Sequence, residues 1–428
     1  MTDDPTHGPH RVPHLGRPVD ATVPVPGSKS ISNRALVCAA LADGESVIES
    51  VAPGDDTAAM VECLGRLGVV VELAGSTATV VGTGAAPAVG TVTLPTRLAG
   101  TTSRFLTALA ALGPGPVTVD GDPPLRRRPM GPLHDALRAL GVRVAAGEAD
   151  GHLPVTVAGP PTGSRVDLRG DVSSQYVSAL MMIGPALARG LRVDLVGPLV
   201  SRPYVELTAA VMSAFGADVE VGEACVRVGH GRYAPTAYRV EPDASSASYA
   251  LALAAAVGGE IVVPGLGAGS LQGDARFVDL VAAMGCRIEV TPDRTTVRRD
   301  AATPLRGIDV DMADVSDLVP TIAVLGALAA TPTRIRGVGF IRNKESDRLG
   351  DLATELRRAG AAVRVLDDGL EIVPAELHGA RLGTHHDHRL AMAFAVLGAA
   401  VEGIEVDDPD VVSKSWPSFW SDVRVAAA

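Results

Sequence analysis

The sequence predicts an α/β protein of two similar domains, each built from three repeated α/β units. Three observations support this class. A polar cluster precedes a small-residue helix six times along the chain. Each such helix is followed by a Gly or Pro and then by a β-branched strand, as a βα repeat requires. A second helix ends five times at a glycine followed by a Val-rich strand, at Gly68, Gly141, Gly216, Gly285 and Gly360.

The polar clusters mark the helix starts and are the first functional signal. They begin at Gly27, Ala99, Asp171, Asp243, Asp314 and Thr384. A helix start carries N–H groups without intrahelical partners and a partial positive charge, so it is a natural anion site. Several starts turned toward one cleft would bind a heavily phosphorylated or carboxylated ligand.

Within each unit a helix is followed by a strand, and a second helix ends at a glycine. The helix Ala35–Asp43 precedes a strand at 44–48, and the helix Leu251–Val257 precedes one at 258–263. Each of the five spaced glycines fits the left-handed position after a helix C-terminus. Their separations of 73, 75, 69 and 75 residues are too long for a solenoid repeat.

The chain length of 428 residues divides into two domains of three units each. We place the first domain at 28–243 and the second at 244–428. Residues 1–27 are expected to pack with the second domain, because the strand Val19–Val25 precedes the first unit and should cross over. Two strands would then join the halves as a hinge. The alternative is one continuous sheet.

Composition excludes several classes of function. The net charge of −11 and the 3% aromatic content argue against nucleic acid and acidic membranes as partners. Cys38, Cys63, Cys225 and Cys286 are scattered, which is typical of reduced core thiols rather than of disulfides or a metal site. No signal peptide or membrane-spanning run is visible, so a cytoplasmic protein is expected.

The segment Pro26–Arg34 carries the first candidate binding residues. Lys29 and Arg34 flank a helix start among hydroxyl groups. A Walker A loop needs Gly-Lys-Ser/Thr in sequence, and here Ser28 intervenes, so a nucleotide site of that kind is not predicted. Taken alone, the two charges could also be solvated groups at a helix end.

Eight short motifs along the chain indicate a resemblance to a known family. The chain contains, in order, PGSKSISNRAL, LAGTTSRF, DVSSQY, SRPY, EPDASSASY, NKESDRL, DHRLAMA and SKSWP. From about Val19 to Trp420 the chain resembles the 5-enolpyruvylshikimate-3-phosphate synthase (EPSP synthase) family. The resemblance implies a fold of six units in two domains, an inside-out α/β barrel. It also implies transfer of the enolpyruvyl group of phosphoenolpyruvate to the 5-hydroxyl of shikimate 3-phosphate, with release of phosphate.

The resemblance assigns roles to matching residues. Catalysis falls to Asp317 as proton acceptor, to Glu345 for proton transfer at the methylene carbon, and to Lys29. The shikimate 3-phosphate residues are Lys29, Ser30, Arg34, Ser173, Ser174, Gln175, Ser201, Tyr204, Asp317 and Lys344. The phosphoenolpyruvate residues are Lys29, Gly100, Arg126, Gln175, Arg348, Arg389 and Lys414. Supporting roles are expected for Asp56, Thr101, Arg104 and His388. Neither a metal nor an organic cofactor is implied.

Each assignment has a structural alternative. Asp317 could be only a helix N-cap, the Ser173-Ser174 pair could only cap its helix, and Lys344 with Glu345 could be a surface pair. Ser245 and Ser246 are expected only to cap a helix. Arg104 is expected to hold a neighbouring carboxylate, although it could bind phosphate. The run His385–His388 could suggest a metal site, but adjacent side chains diverge at a helix start.

Three positions depart from the family pattern. Leu98 and Phe340 stand where many members have Asn, and Pro124 stands where an Arg that binds phosphoenolpyruvate is aligned. We expect Arg126 to supply the missing guanidinium, with Arg127 as the alternative.

Two other functions compete with the synthase. UDP-N-acetylglucosamine enolpyruvyl transferases share the fold, but they usually carry a reactive Cys in the loop that matches Gly121–Met130, which has none here. A non-catalytic phospholigand-binding protein should first have lost Asp317, Glu345, Lys29 or Lys414, and all four are present. We expect a monomer whose halves close on the two small-molecule substrates.

Overall fold

Helices and short strands alternate along the whole chain. A computed structural model describes residues 8–84, 86–87 and 89–426. The strands are β1 (His10–Arg11), β2 (Val19–Thr22), β3 (Asp43–Glu49), β4 (Val70–Ala74), β5 (Thr77–Thr83), β6 (Val92–Pro95), β7 (Val117–Asp120), β8 (Arg143–Ala146), β9 (Val155–Ala158), β10 (Arg165–Arg169), β11 (Leu191–Val196), β12 (Val219–Val221), β13 (Cys225–Val228), β14 (Ala237–Arg239), β15 (Gly259–Pro264), β16 (Arg287–Val290), β17 (Arg294–Arg299), β18 (Asp309–Asp311), β19 (Thr333–Arg336), β20 (Ala362–Val365), β21 (Leu370–Val373), β22 (Arg381–Leu382) and β23 (Glu405–Val406).

The helices lie between these strands. The α-helices are α1 (Lys29–Leu41), α2 (Asp55–Arg66), α3 (Gly100–Ala110), α4 (Pro123–Arg126), α5 (Gly131–Ala139), α6 (Ser174–Ile183), α7 (Arg202–Ala214), α8 (Ala244–Val257), α9 (Phe277–Ala283), α10 (Val319–Ala327), α11 (Gly350–Arg358), α12 (His388–Ala400) and α13 (Phe419–Ala426). Short 3-10 helices lie at Gly184–Ala186, Gly273–Arg276, Ser316–Leu318, Gly339–Asn343 and Pro409–Lys414.

The chain forms two compact units and passes between them twice. One, the central unit, is Gly27–Glu241. The other, the terminal unit, combines the N-terminal segment up to Pro26 with the chain from Pro242 onward. Within the terminal unit β2 pairs in parallel with β15, and within the central unit β14 pairs in parallel with β3.

The described part of the chain forms six small sheets, and the five four-stranded ones repeat one topology. The central unit has the orders β14-β3-β5-β4, β6-β7-β9-β8 and β10-β11-β13-β12. The terminal unit has β2-β15-β17-β16, β18-β19-β21-β20 and the three-stranded β1-β23-β22. In each four-stranded sheet the first pair is parallel and the other two pairs are antiparallel. This repetition confirms the predicted class of two domains with three α/β units each.

The five spaced glycines end helices as predicted. Their φ angles are +85° at Gly68, +89° at Gly141, +86° at Gly216, +106° at Gly285 and +92° at Gly360. In every case the residue after the glycine donates its N–H to the carbonyl five residues earlier. This is the Schellman closure, which satisfies a carbonyl left open at the helix end and turns the chain into the next strand.

Three helices in each unit are buried over nearly their whole length. In the central unit they are α1, α3 and α6, and in the terminal unit α8, α10 and α12; the three within each unit pack against one another. A helix buried on every side must be apolar on every side, which explains the Ala- and Leu-rich sequences. All six follow the polar clusters identified in the sequence.

The four cysteines are buried thiols without disulfide partners, as predicted. Among the described residues, no helix combines the length and the apolar character needed to cross a membrane.

His134 on α5 offers a test of the central unit's packing. Its side chain is buried, and neither ring nitrogen has a hydrogen-bond partner within the described structure. Burial, aided by Arg138, lowers the pKa of His134 to about 4. The neutral ring is therefore favoured in the folded state, so stability falls as the pH drops from about 6.5 through 4.

We predict that His134→Leu flattens this pH dependence and raises the free energy of unfolding at pH 4 by up to about 3 kcal/mol. Urea denaturation at pH 7 and pH 4 measures both effects. His152→Leu, at a more exposed position, is the control and should leave the slope unchanged. A steeper or unchanged slope for His134→Leu would contradict the assignment.

Candidate functional site

Asp317 is the acidic centre of a charged cluster in the terminal unit. It lies in the 3-10 turn Ser316–Leu318 directly before α10, and its side chain caps no helix. One carboxylate oxygen accepts from Arg348 Nη1 at 2.8 Å and the other from Arg389 Nη2 at 2.8 Å. Lys344 Nζ lies 4.0 Å away. The N-cap alternative for Asp317 is therefore wrong.

Arg348 joins three carboxylates. Its side chain is 1% exposed. Besides Asp317, it pairs with Glu345 Oε2 at 2.6 Å and with Asp387 Oδ2 at 2.6 Å. Burial alone would lower the pKa of Arg348, but Asp387, Glu345 and Asp317 outweigh burial and raise it above its usual range. The guanidinium is a fixed positive charge.

Asp387 is a member of this cluster that sequence reasoning did not assign. It is buried, caps α12 by accepting from Arg389 N at 2.9 Å, and accepts from Ser346 Oγ at 3.1 Å. The sequence carried a signal, because an Asp directly before a helix is a common N-cap. The pairing with Arg348 could not be inferred from that signal.

Glu345 bridges to a second cation. Lys414 Nζ lies 3.4 Å from Glu345 Oε1, at the end of the 3-10 helix Pro409–Lys414. The side chains of Lys414 and Glu345 are only 10% and 14% exposed. The alternative that Glu345 and Lys344 form a surface pair is therefore wrong. Lys344 instead lies near Asp317 and over the ring of Phe340, with Nζ 6.0 Å from the ring centroid.

The surrounding cations keep Asp317 ionised. Burial alone would raise the pKa of Asp317, but Arg389, Lys344 and Arg348 together outweigh burial and hold the pKa well below its usual range. This carboxylate is a weak base while all three cations face it.

A second buried acid, Asp274, lies in the 3-10 helix Gly273–Arg276, contacts the start of α8 and was not assigned from the sequence. Ser245 Oγ donates to Asp274 Oδ2, and both residues are buried. The cap of α8 is Asp243, whose carboxylate accepts from Ser246 N at 2.7 Å. The expectation that Ser245 and Ser246 cap this helix is therefore wrong, because Asp243 takes that position.

In the central unit, Lys29 opens α1 and pairs with Asp56. The distance between Lys29 Nζ and Asp56 Oδ2 is 2.9 Å. The backbone carbonyl of Asp56 accepts from Thr102 Oγ1 at 3.0 Å. The starts of α1, α2 and α3 are thus linked through one ion pair and one hydrogen bond.

Arg34 is a buried cation that pairs with none of the acidic side chains in the described part of the chain. It is 2% exposed, and no carboxylate of the described residues lies within 4.0 Å of its guanidinium. The group donates to Thr208 Oγ1 at 2.7 Å, Ser30 O at 2.8 Å and Ser178 Oγ at 3.2 Å. Burial lowers the pKa of Arg34 to about 10. An anion arriving here would meet a charge already desolvated and oriented.

Gly100 opens α3 beneath two guanidinium groups. A Cβ on Gly100 would lie 2.6 Å from Arg128 Nη1 and 2.7 Å from Arg104 Nη1. Arg104 donates to Gly100 O at 2.8 Å and to Pro129 O at 3.3 Å, so these described partners are carbonyl groups rather than the carboxylate expected for it. Only a residue without a side chain lets both cations approach the helix start this closely.

Of the arginines in the segment 126–128, Arg128 is the one with guanidinium atoms among those nearest to Gly100, and Arg126 is engaged elsewhere. Arg126 pairs through two hydrogen bonds with Asp120, at 2.9 and 2.7 Å, and with Glu148 at 3.2 Å. Its side chain is 35% exposed. Two acidic neighbours therefore neutralise Arg126 at the surface.

The remaining central-unit residues lie at the starts of α6 and α7. Ser173 Oγ caps α6 by accepting from Gln175 N at 3.3 Å, so Ser173 has the capping role that the sequence offered as an alternative. Gln175 Nε2 lies 3.4 Å from Thr101 Oγ1 on α3. Ser201 precedes α7 with φ of +53°, and Tyr204 lies in the first turn of α7, its ring centroid 6.0 Å from the Arg34 guanidinium carbon.

The histidines of the run His385–His388 diverge. His385 Nε2 contacts Glu355 Oε1 at 2.8 Å, His386 Nδ1 lies 3.4 Å from Asp408 Oδ2, and His388 is buried beside Asp387. Over the described residues, no three His, Cys, Asp or Glu side chains come together as a potential metal site.

Comparison with known proteins assigns the family. The model of EPSP synthase (3-phosphoshikimate 1-carboxyvinyltransferase) matches residues 14–423. The chain is 45% identical over 413 residues to a 3-phosphoshikimate 1-carboxyvinyltransferase of Methanoculleus marisnigri, covering 96% of this chain and 97% of the relative. A protein of the same name from Nostoc punctiforme is 41% identical over 415 residues, with coverage of 96% and 97%.

Solved structures agree in fold. EPSP synthase from Acinetobacter baumannii matches with a TM-score of 0.81 at 23% identity, and 98% of each chain is covered. The enolpyruvyl transferase NikO from Streptomyces tendae matches with a TM-score of 0.78 at 21% identity, again over 98% of each chain. The resemblance drawn from the eight sequence motifs is confirmed, and the chain belongs to the EPSP synthase family.

Proposed function

We propose that this chain is a 3-phosphoshikimate 1-carboxyvinyltransferase, which transfers the enolpyruvyl group of phosphoenolpyruvate to the 5-hydroxyl of shikimate 3-phosphate. Family membership supports the reaction. The observation that carries the proposal is the cluster in which Asp317 and Glu345 share Arg348, with Arg389 and Lys414 beside them. Two acids held among fixed cations suit proton transfers on polyanionic substrates.

The acceptor residues follow the central-unit geometry. Arg34 is suited to the carboxylate of shikimate 3-phosphate, because its guanidinium is buried without an acidic partner among the described residues. Hydroxyl and amide groups at the starts of α6 and α7 are suited to the 3-phosphate and the ring. We propose for these contacts Lys29, Ser30, Ser173, Ser174, Gln175, Ser201 and Tyr204 of the central unit, with Asp317 and Lys344 of the terminal unit.

One residue changes in the set that the sequence predicted to bind phosphoenolpyruvate, the enolpyruvyl donor. We propose that phosphoenolpyruvate is bound by Lys29, Gly100, Arg128, Gln175, Arg348, Arg389 and Lys414. Arg128 replaces Arg126, because Arg128 lies against Gly100 whereas Asp120 and Glu148 neutralise Arg126. Asp56, Thr101, Arg104 and His388 keep their supporting roles.

The acid–base steps follow from the cluster. Asp317 takes the proton of the 5-hydroxyl as its oxygen bonds to the central carbon of phosphoenolpyruvate. Glu345 gives a proton to the methylene carbon, which becomes a methyl group. In the second step Glu345 takes a proton back from the methyl group, phosphate leaves with the electron pair of its carbon–oxygen bond, and the double bond is restored. Arriving anions would draw Arg348 and Arg389 away from Asp317, and its pKa would then rise.

Action as a monomer in the cytoplasm belongs to the same proposal. The four buried thiols without disulfide partners suit a reducing compartment. Light scattering coupled to size exclusion tests the monomer.

The activity is tested by phosphate release with both substrates, together with a matched pair of variants. We predict turnover by the wild type and a loss in kcat of about 100-fold or more for Asp317→Asn, because the hydroxyl loses its base. Asp314→Asn, three residues earlier in the same polar cluster, should keep near-normal kcat. Turnover with UDP-N-acetylglucosamine but not with shikimate 3-phosphate would overturn the proposal.

A second prediction separates the neighbouring arginines. Arg128→Gln should raise KM for phosphoenolpyruvate about 10- to 100-fold, the loss expected for hydrogen bonds from a charged donor. KM for shikimate 3-phosphate should change little. Arg126→Gln should leave both KM values near those of the wild type. If Arg126→Gln has the larger effect, the original assignment to Arg126 stands.

Asp274 generates a prediction about pH and stability. Burial, followed by the charge of Asp317, raises the pKa of Asp274 to about 7. Between the unfolded value near 4 and this folded value, the folded state binds more protons, so stability falls as the pH rises. A largely neutral Asp274 leaves Asp317 as the ionised acid below pH 7.

We predict that Asp274→Asn removes this fall and raises the free energy of unfolding at pH 8 by up to about 4 kcal/mol. The amide is isosteric and can still accept from Ser245. Urea denaturation at pH 5 and pH 8 measures the change, and Asp279→Asn, at an exposed position on α9, is the control. An unchanged difference between the two pH values would contradict the raised pKa.

A further inference from the structure

The turn that leads into α12 has an unusual backbone. His385 and His386 are consecutive residues with φ of +51° and +58°. Side chains other than glycine rarely adopt this left-handed region, and two in succession persist only where the surroundings enforce them. The turn connects β22 to α12, so its shape decides where Asp387, His388 and Arg389 begin the helix.

Glu355 on α11 binds both ends of this turn. It is buried, although it carries a carboxylate. Its Oε1 lies 2.8 Å from His385 Nε2, and its Oε2 accepts from Gly383 N at 2.9 Å. Arg358 Nη1 also donates to Oε2, at 3.0 Å. A carboxylate oxygen accepts hydrogen bonds, so the His385 tautomer that carries its N–H at Nε2 fits this contact.

The neighbouring histidine makes no comparable contact. His386 has the same left-handed backbone, but its side chain is 75% exposed and lies 3.4 Å from Asp408, which is itself 47% exposed. The His385 side chain is 35% exposed and reaches a carboxylate with no exposure. A hydrogen bond to a buried charge is far stronger than an exposed ion pair.

The turn places residues that the cluster requires. Asp387 N donates to Thr384 O at 2.9 Å, which closes the turn. The Asp387 carboxylate then reaches Arg348 at 2.6 Å and the amide of Arg389 at 2.9 Å. The Arg389 guanidinium in turn reaches Asp317 at 2.8 Å. A shift of this turn would therefore move Asp387 and Arg389 together.

We infer that Glu355 and His385 form a positioning pair that holds the strained turn in the shape that places Asp387 and Arg389. Neither residue belongs to the set that we propose to contact the substrates. The kinetic part of this inference rests on the proposed function, because it concerns the binding of phosphoenolpyruvate by Arg348 and Arg389. The structural part, that the pair holds the shape of the turn, does not depend on the proposed function.

The test compares His385→Asn with His386→Asn. Asn tolerates the left-handed backbone at both positions. His385→Asn loses the contact to buried Glu355 and the longer approach to Asp351 at 3.7 Å, whereas His386→Asn loses only the exposed contact to Asp408. We expect His385→Asn to raise KM for phosphoenolpyruvate at least fivefold and to change KM for shikimate 3-phosphate less than twofold. His386→Asn should stay within twofold for both. His385→Gln, which keeps an N–H donor of similar reach, should recover most of the loss.

Hydrogen exchange of the peptide that spans 383–389 gives a readout independent of turnover. We expect at least tenfold faster exchange in His385→Asn and wild-type exchange in His386→Asn. Equal effects of both variants, or no effect of either, would overturn the positioning pair. If the wild-type protein transfers no enolpyruvyl group to shikimate 3-phosphate, the proposed function fails, and the exchange comparison still decides the inference.

Discussion

The buried charge of Arg348 is the constraint on which the terminal unit's cluster depends. A guanidinium with 1% exposure is stable only with close acidic partners, because removing one leaves an uncompensated charge in a desolvated place. Its three partners come from different parts of the chain. Asp317 precedes α10, Glu345 precedes α11 and Asp387 begins α12. One ionic centre therefore fixes the relative positions of three helix starts.

Three other cations proposed to bind the ligands are also paired with carboxylates. Lys29 pairs with Asp56, Lys414 with Glu345, and Arg389 with Asp317. Each of these three cations thus has a carboxylate that holds it in place before the ligand arrives. Arg34 differs, because neutral hydroxyl and carbonyl groups orient it. An incoming carboxylate has no acidic group of the described residues to displace there, which favours Arg34 as the tightest anion contact.

The repeated fold provides six helix starts, and few residues at each start are needed for the proposed chemistry. Each unit buries three helices made mainly of small residues, and the polar clusters lie at their starts. The chemistry is carried by a few residues per cluster, while the Schellman glycines and Val-rich strands serve the fold. Strain is confined to places such as the His385–His386 turn, where the adjoining residues Asp387 and Arg389 must be held.

The sequence by itself determined the six helix starts, the five left-handed glycines and the family, because each depends on local chemistry or on residues read in order along the chain. It also placed Asp317, Glu345, Lys29 and Arg34 in functional motifs. Only the tertiary structure decided which of three successive arginines lies against Gly100, because that depends on the phase of α4 and on the competing carboxylate of Asp120. The contacts of Asp274 with Ser245 and of Glu355 with His385 were also visible only in the tertiary structure. They join distant segments of the chain, so they follow from packing and not from a local sequence pattern.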